Sequence, residues 1–73
     1  MDTKLQQFIA KHLGVDAGAI QSFTTFESFD MNNWDLLDLA VEVEKAFRIP
    51  IEAGDELKWR TVKDVEDYIS RTK

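Results

Sequence analysis

"FDMNNWDLLDLAVEVEKAF", Phe29–Phe47, decides how this chain folds. Its second part advances like an α-helix, about 100° per residue. At that pitch Leu36, Leu39, Ala40, Val43, Ala46 and Phe47 gather on one side, an inward stripe with spacings of 3, 1, 3, 3 and 1. Trp34, Leu37 and Val41 fall on a second patch, roughly 150° away by the same geometry. Asp35, Asp38 and Glu42 lie beside that patch, and Glu44 lies on its other flank. The helix therefore has two apolar faces, and a small domain readily buries only one. An apolar centre rimmed by charge is the usual anatomy of a docking surface. The alternative is that a connecting loop covers the second face, with Trp34 a core residue.

The segments on either side fit a bundle. Asn32 is placed to cap the helix over 32–47, and Pro50 discourages helix at Ile49. Upstream, Leu5, Phe8, Ile9 and Leu13 share a stripe, which predicts a first helix over Asp2 to Leu13 with Gly14 ending it. His12, the one histidine, falls on that same face, and a packing role at the core edge is expected. Residues 15–31 form a long connection, expected to be pinned across the helices by Val15, Ile20, Phe23, Phe26 and Phe29, with a short helical turn near Ala17–Ile20. "SFTTF" has strand-type residues but no second strand signal to pair with. "IPIEAGDELKW" is a second connection with room for a short helix around Asp55–Lys58. Thr61 caps a last helix whose inner stripe is Val62, Val65 and Ile69.

Composition limits the chemistry. At 73 residues one small domain over 1–73 is expected. Such a chain buries only about 60% of its unfolded surface and has little room for a deep enzyme pocket. With no cysteine, disulfides and thiolate metal sites are excluded, which fits a cytoplasmic protein. No apolar run approaches the roughly 20 residues that span a bilayer, and "MDTKLQQF" lacks the basic and apolar segments of a signal peptide. Nine basic against fourteen acidic residues give a formal charge of −5. That surface repels nucleic acid and favours basic protein partners, or it serves solubility alone.

Catalytic and metal readings fail on the residues present. "DMNNWD" is rich in oxygen ligands, but a calcium loop begun at Asp30 would put Asp35 where glycine makes the sharp turn and Val41 where a bidentate glutamate belongs. One histidine cannot build the usual zinc sites. Ser22, Ser28 and Ser70 have only His12 as a base, and nothing in the sequence places it beside them. No catalytic residue and no metal site are expected; the chain reads as a non-enzyme.

Taken together, "GVDAGAI", "TTFESF", "WDLLDLAVEVEKAF", "IPIE" and "TVKDVEDYI" resemble, in order and spacing, the acyl carrier protein family. The likeness covers nearly the whole chain. It implies an all-α fold: a four-helix bundle with a long first loop and a short third helix. Members carry 4′-phosphopantetheine on the serine of an Asp-Ser-Leu motif opening helix two, and its thiol holds an acyl group as a thioester. Alignment through "LAVEVEKAF" puts Asn32, Asn33 and Trp34 on those three positions. Asn33 stands at the serine. A carboxamide has no hydroxyl to attack the diphosphate of coenzyme A, so no cofactor is expected at that position unless it is serine in the natural protein. Ser28 in "ESF" is a poor substitute, since that register puts Asn32 and Asp35 on apolar helix positions.

Either a natural relative has lost its group, or a serine was replaced to trap an unmodified form. Change at all three motif positions favours divergence. In the family, helix two meets basic patches on acyl-transfer, synthase or ligase enzymes. Asp35, Asp38 and Glu44 match its acidic positions, and Trp34, Leu37 and Val41 its apolar ones. The expectation is a monomeric, carrier-like domain that docks through acidic helix two. The alternatives are a working carrier of a fatty acid, polyketide or related pathway with its serine changed, and a helical interaction module unrelated to acyl transfer.

Overall fold

The computed structural model describes residues 3–72. It is all-α: α1 (Thr3–Leu13), α2 (Asn33–Phe47) and α3 (Val62–Thr72), with short 3-10 turns at Ala17–Ala19, Glu27–Phe29 and Asp55–Lys58. The third of these turns occupies the place of the expected short helix. Asp2 lies outside the described residues.

Each helix stops or starts for a local reason. Gly14 takes φ +73°, a left-handed conformation that glycine enters without a Cβ penalty. Its N–H donates to Lys11 O at 3.3 Å, and that of Val15 to Ala10 O at 2.9 Å, which closes α1 in a Schellman motif. Asn32 caps α2 as expected: its Oδ1 accepts from the Asp35 N–H at 3.0 Å, and Asp35 Oδ2 accepts from the Asn32 N–H at 3.1 Å.

α3 opens on a similar reciprocal cap. Thr61 Oγ1 accepts from the Asp64 N–H, while Asp64 Oδ2 accepts from the N–H groups of Arg60 (2.8 Å) and Thr61 (3.0 Å). The bond from Arg60, then that from Thr61, holds the Asp64 carboxyl below its ordinary value of 3.8. The folded value lies below the unfolded one. The stabilisation is therefore present above the unfolded value and is lost as pH falls through the folded one. Asp64→Ala is expected to cost about 1 kcal/mol at neutral pH, and to lose less further stability than the parent chain below about pH 4; urea unfolding at both pH values checks this.

The long first connection is stitched down by hydrogen bonds rather than by apolar contact alone. Gln6 Nε2 on α1 donates to the carbonyls of Ala17 and Ile20, both at 2.8 Å. Thr25 and Thr61 form an isolated antiparallel bridge, with Phe26 N–H to Arg60 O and Val62 N–H to Thr24 O, both 3.0 Å. "SFTTF" thus has a partner, contrary to the reading that nothing pairs with it, but the partner is a single bridge beside the α3 cap. Ile20 and Phe26 enter the core with Leu5, Ile9, Leu39, Val43, Val65 and Ile69.

Three side chains depart from expectation. Phe23 is 76% exposed and pins nothing. Ala46 is exposed, although Val43 and Phe47 on the same stripe are buried. His12 is exposed, in the last turn of α1, beyond the buried trio Leu5, Ile9 and Ala10. On the far side Trp59 is buried and meets Tyr68 edge-to-face at 5.8 Å, and the Tyr68 hydroxyl donates to Asp55 Oδ2 at 2.9 Å. Burial and this carboxylate push the phenol pKa up. The indole Nε1 of Trp59 finds no acceptor among the described residues.

Candidate functional site on the outward face of α2

α2 separates its two apolar faces. Leu36, Leu39, Ala40, Val43 and Phe47 are buried. Trp34 is 76% exposed, Leu37 39% and Val41 42%. The connecting loop does not cover the second face, and Trp34 is not a core residue.

The acids around this strip divide by what their carboxylates do. Asp35 is half-buried and its carboxylate serves the α2 cap. Glu44 Oε2 accepts from the Ile51 N–H at 2.9 Å and so holds the chain as it leaves the helix. Asp38 and Glu42 are exposed and form no ion pair or hydrogen bond among the described residues. Four carboxylates thus lend negative charge to the face, and two of them are free to meet a cation.

Asn33 is the first residue of α2 and is exposed; Asn32, its neighbour, is the one used for capping. Ser28 sits in the separate 3-10 turn Glu27–Phe29, where its Oγ donates to Thr25 O at 2.6 Å. Among the described residues no group of three or more His, Cys, Asp or Glu is placed to hold a metal ion. His12 lies near Asp38 and Glu42 on a shared groove, and no serine lines it.

Two further apolar side chains are exposed, one that the sequence reading passed over and one, Phe23, that it expected to pin the first connection. Leu57 is 52% exposed on the 3-10 turn Asp55–Lys58, which packs against α2. Phe23, on the first connection, is the other. A four-residue turn has no periodicity to reveal which way Leu57 faces, and "DELK" reads as a polar segment.

The family model described as "Phosphopantetheine attachment site" matches residues 3–69. The chain belongs to the acyl carrier protein family. It is 39% identical over 66 residues to the acyl carrier protein of Streptococcus pneumoniae serotype 4, a match covering 90% of this chain and 86% of that relative. It is 36% identical over 69 residues to the acyl carrier protein of Onion yellows phytoplasma, covering 93% and 91%. The crystal structure of an acyl carrier protein from Thermotoga maritima superposes with a TM-score of 0.76 at 26% identity, over 94% of this chain and 81% of that one.

Acyl carrier proteins are carriers, not enzymes, and they dock on acyl-transfer and synthase enzymes. The family's prosthetic group is 4′-phosphopantetheine. The side chain that opens α2 in this chain, Asn33, is a carboxamide and offers no hydroxyl. Among the described residues, no helix is long and apolar enough to cross a membrane.

Proposed function

We propose that this chain is a single, monomeric, carrier-like domain of the cytoplasm. It docks through the outward face of α2 on basic surfaces of acyl-transfer, synthase or ligase enzymes, and it carries no phosphopantetheine at Asn33. The observation that carries the reading is the separation of faces on α2: one apolar strip is sealed, and Trp34, Leu37 and Val41 stand in solvent beside Asp38 and Glu42, which have no ion-pair partner among the described residues. A basic partner gains apolar burial from the strip and long-range attraction from the acids. Asp35 and Glu44 add charge to that field while their carboxylates brace the two ends of the helix.

Loss of the group follows from chemistry. Transfer from coenzyme A needs a hydroxyl oxygen as nucleophile, and Asn33 has none. Ser28 is held in its own turn ahead of the helix. The test is intact mass after incubation with coenzyme A, Mg2+ and a broad-specificity phosphopantetheinyl transferase. The chain is expected to keep its mass, and a gain of one phosphopantetheine would overturn the loss of the site. Asn33→Ser decides the second reading, a working carrier with its serine replaced. Stoichiometric loading of that variant, followed by acylation by a carrier-dependent enzyme, would favour it.

A further inference from the structure

The fold presents Asn33 at a set place. The reciprocal bonds between Asn32 and Asp35, at 3.0 and 3.1 Å, fix the first turn of α2. Asn33 follows the cap and is exposed, and its carboxamide makes no hydrogen bond among the described residues. Trp34, 76% exposed, comes next. Leu37 stands four residues beyond Asn33 and three beyond Trp34, so all three neighbour one another on the helix surface. A free carboxamide therefore heads the exposed apolar strip, at the position where the family resemblance expects serine.

We propose, on the basis of the docking reading above, that this chain is a pseudosubstrate of a phosphopantetheinyl transferase. It occupies the enzyme's carrier site, meets the bound coenzyme A with Asn33, and holds the enzyme in a complex that cannot react. The choice of partner follows from what each carrier-dependent enzyme has to recognise. An enzyme that takes or gives an acyl group meets an arm as well as a protein surface. The enzyme that installs the arm meets a surface alone, because its substrate has no arm yet. This chain supplies a surface and no arm.

The carboxamide does more than leave out a hydroxyl. A serine oxygen attacks phosphorus in the diphosphate of coenzyme A with a lone pair. The amide nitrogen of Asn33 shares its lone pair with the carbonyl, so it is no nucleophile, but it carries two N–H donors. Set beside the diphosphate, those donors bond anionic oxygens, and hydrogen bonds to a charged group are about twice as strong as neutral ones. No covalent bond forms or breaks, and the complex ends only by dissociation. Coenzyme A and this chain thus tighten each other's hold on the enzyme, a coupling that is reciprocal by linkage.

Asn33→Ser keeps every other residue of the face and adds a hydroxyl, so it serves as the substrate in the test. A broad-specificity phosphopantetheinyl transferase loads that variant from coenzyme A with Mg2+, followed by intact mass, while the parent chain is added. The parent chain is expected to raise the KM for the variant and leave kcat unchanged. Its Ki is expected within about threefold of that KM, because the two share a face. Calorimetric titration of the parent chain into the transferase is expected to show about tenfold tighter binding when coenzyme A is present, the effect of one hydrogen bond to a charged group. Asn33→Ala is expected to match the parent chain without coenzyme A and to lose the gain with it.

No inhibition, or a fall in kcat with KM unchanged, would overturn the proposal; binding to a carrier-dependent synthase would then leave the docking reading standing. Failure of Asn33→Ser to be loaded would overturn it too, because a face that the transferase does not recognise cannot compete. Equal gains from coenzyme A for the parent chain and Asn33→Ala would overturn the contact assigned to Asn33. Binding to neither enzyme would overturn both readings.

Discussion

Trp34→Ala is expected to weaken binding to a carrier-dependent synthase or acyltransferase by about thirtyfold or more, the cost of about 2 kcal/mol typical of a truncated interface tryptophan. Folding stability is expected to stay within about 0.5 kcal/mol of the parent chain, because the side chain is 76% exposed and leaves no cavity when cut back. Leu37→Ala, at 39% exposure, acts in the same direction with a smaller effect. Asp38→Lys with Glu42→Lys removes the attraction and places lysines opposite a basic surface, and added salt weakens the parent complex. Calorimetric titration paired with urea unfolding separates loss of binding from loss of fold. Binding that survives Trp34→Ala together with the charge reversals would take the outward face out of the function.

Leu39→Ala marks the opposite flank of the same helix and reverses that pattern. Leu39 is fully buried among side chains from the other helices. Its truncation removes apolar burial and leaves a cavity, and comparable core substitutions cost about 2–5 kcal/mol. A chain of 73 residues has a folding free energy on the order of 4–11 kcal/mol at typical per-residue values. The variant is therefore expected to lose a large fraction of its stability, seen as a marked fall in the urea midpoint with little change in slope. Two residues apart, Leu37 and Leu39 have the same side chain and opposite roles. Equal effects of Leu37→Ala and Leu39→Ala on the midpoint would contradict the two-faced helix.

Much of this was legible because helices advertise themselves locally. Asn32 and Asp35 stand three apart at the start of α2, and the chain builds its capping box there. The inward and outward faces of α2 follow from angle alone, and Leu36, Leu39, Ala40, Val43 and Phe47 are buried as that angle requires. Angle does not say whether a neighbour arrives to cover a residue. Ala46 lies in the inward sector and stays exposed, and His12 follows the buried line of α1 but lines an open groove beside α2.

The connections were least legible. Phe23 and Phe26 are both aromatic, three residues apart in one loop, yet only Phe26 is buried. What separates them is the Phe26 N–H bond to Arg60 O beside the Thr25–Thr61 bridge, a contact between segments far apart in sequence. Gln6 gave no signal either. A polar residue on α1 reads as solvent-facing, but it clamps the turn at Ala17–Ala19. In the candidate site, the apolar strip and the acidic rim were visible as types and spacings. The division of labour between bracing acids, Asp35 and Glu44, and unpaired ones, Asp38 and Glu42, needed the hydrogen bonds of the folded chain.

The most direct measurement is the fluorescence of Trp34 alone, read in a Trp59→Phe background. That replacement keeps an aromatic ring in the core and removes the buried indole N–H that has no acceptor among the described residues. The account predicts red, water-like emission, quenched by acrylamide nearly as readily as free indole, that shifts to the blue and gains protection when a basic carrier-dependent enzyme is added at low salt. Blue, quencher-resistant emission from the free chain would mean that Trp34 is sealed inside and that α2 offers no face for a partner.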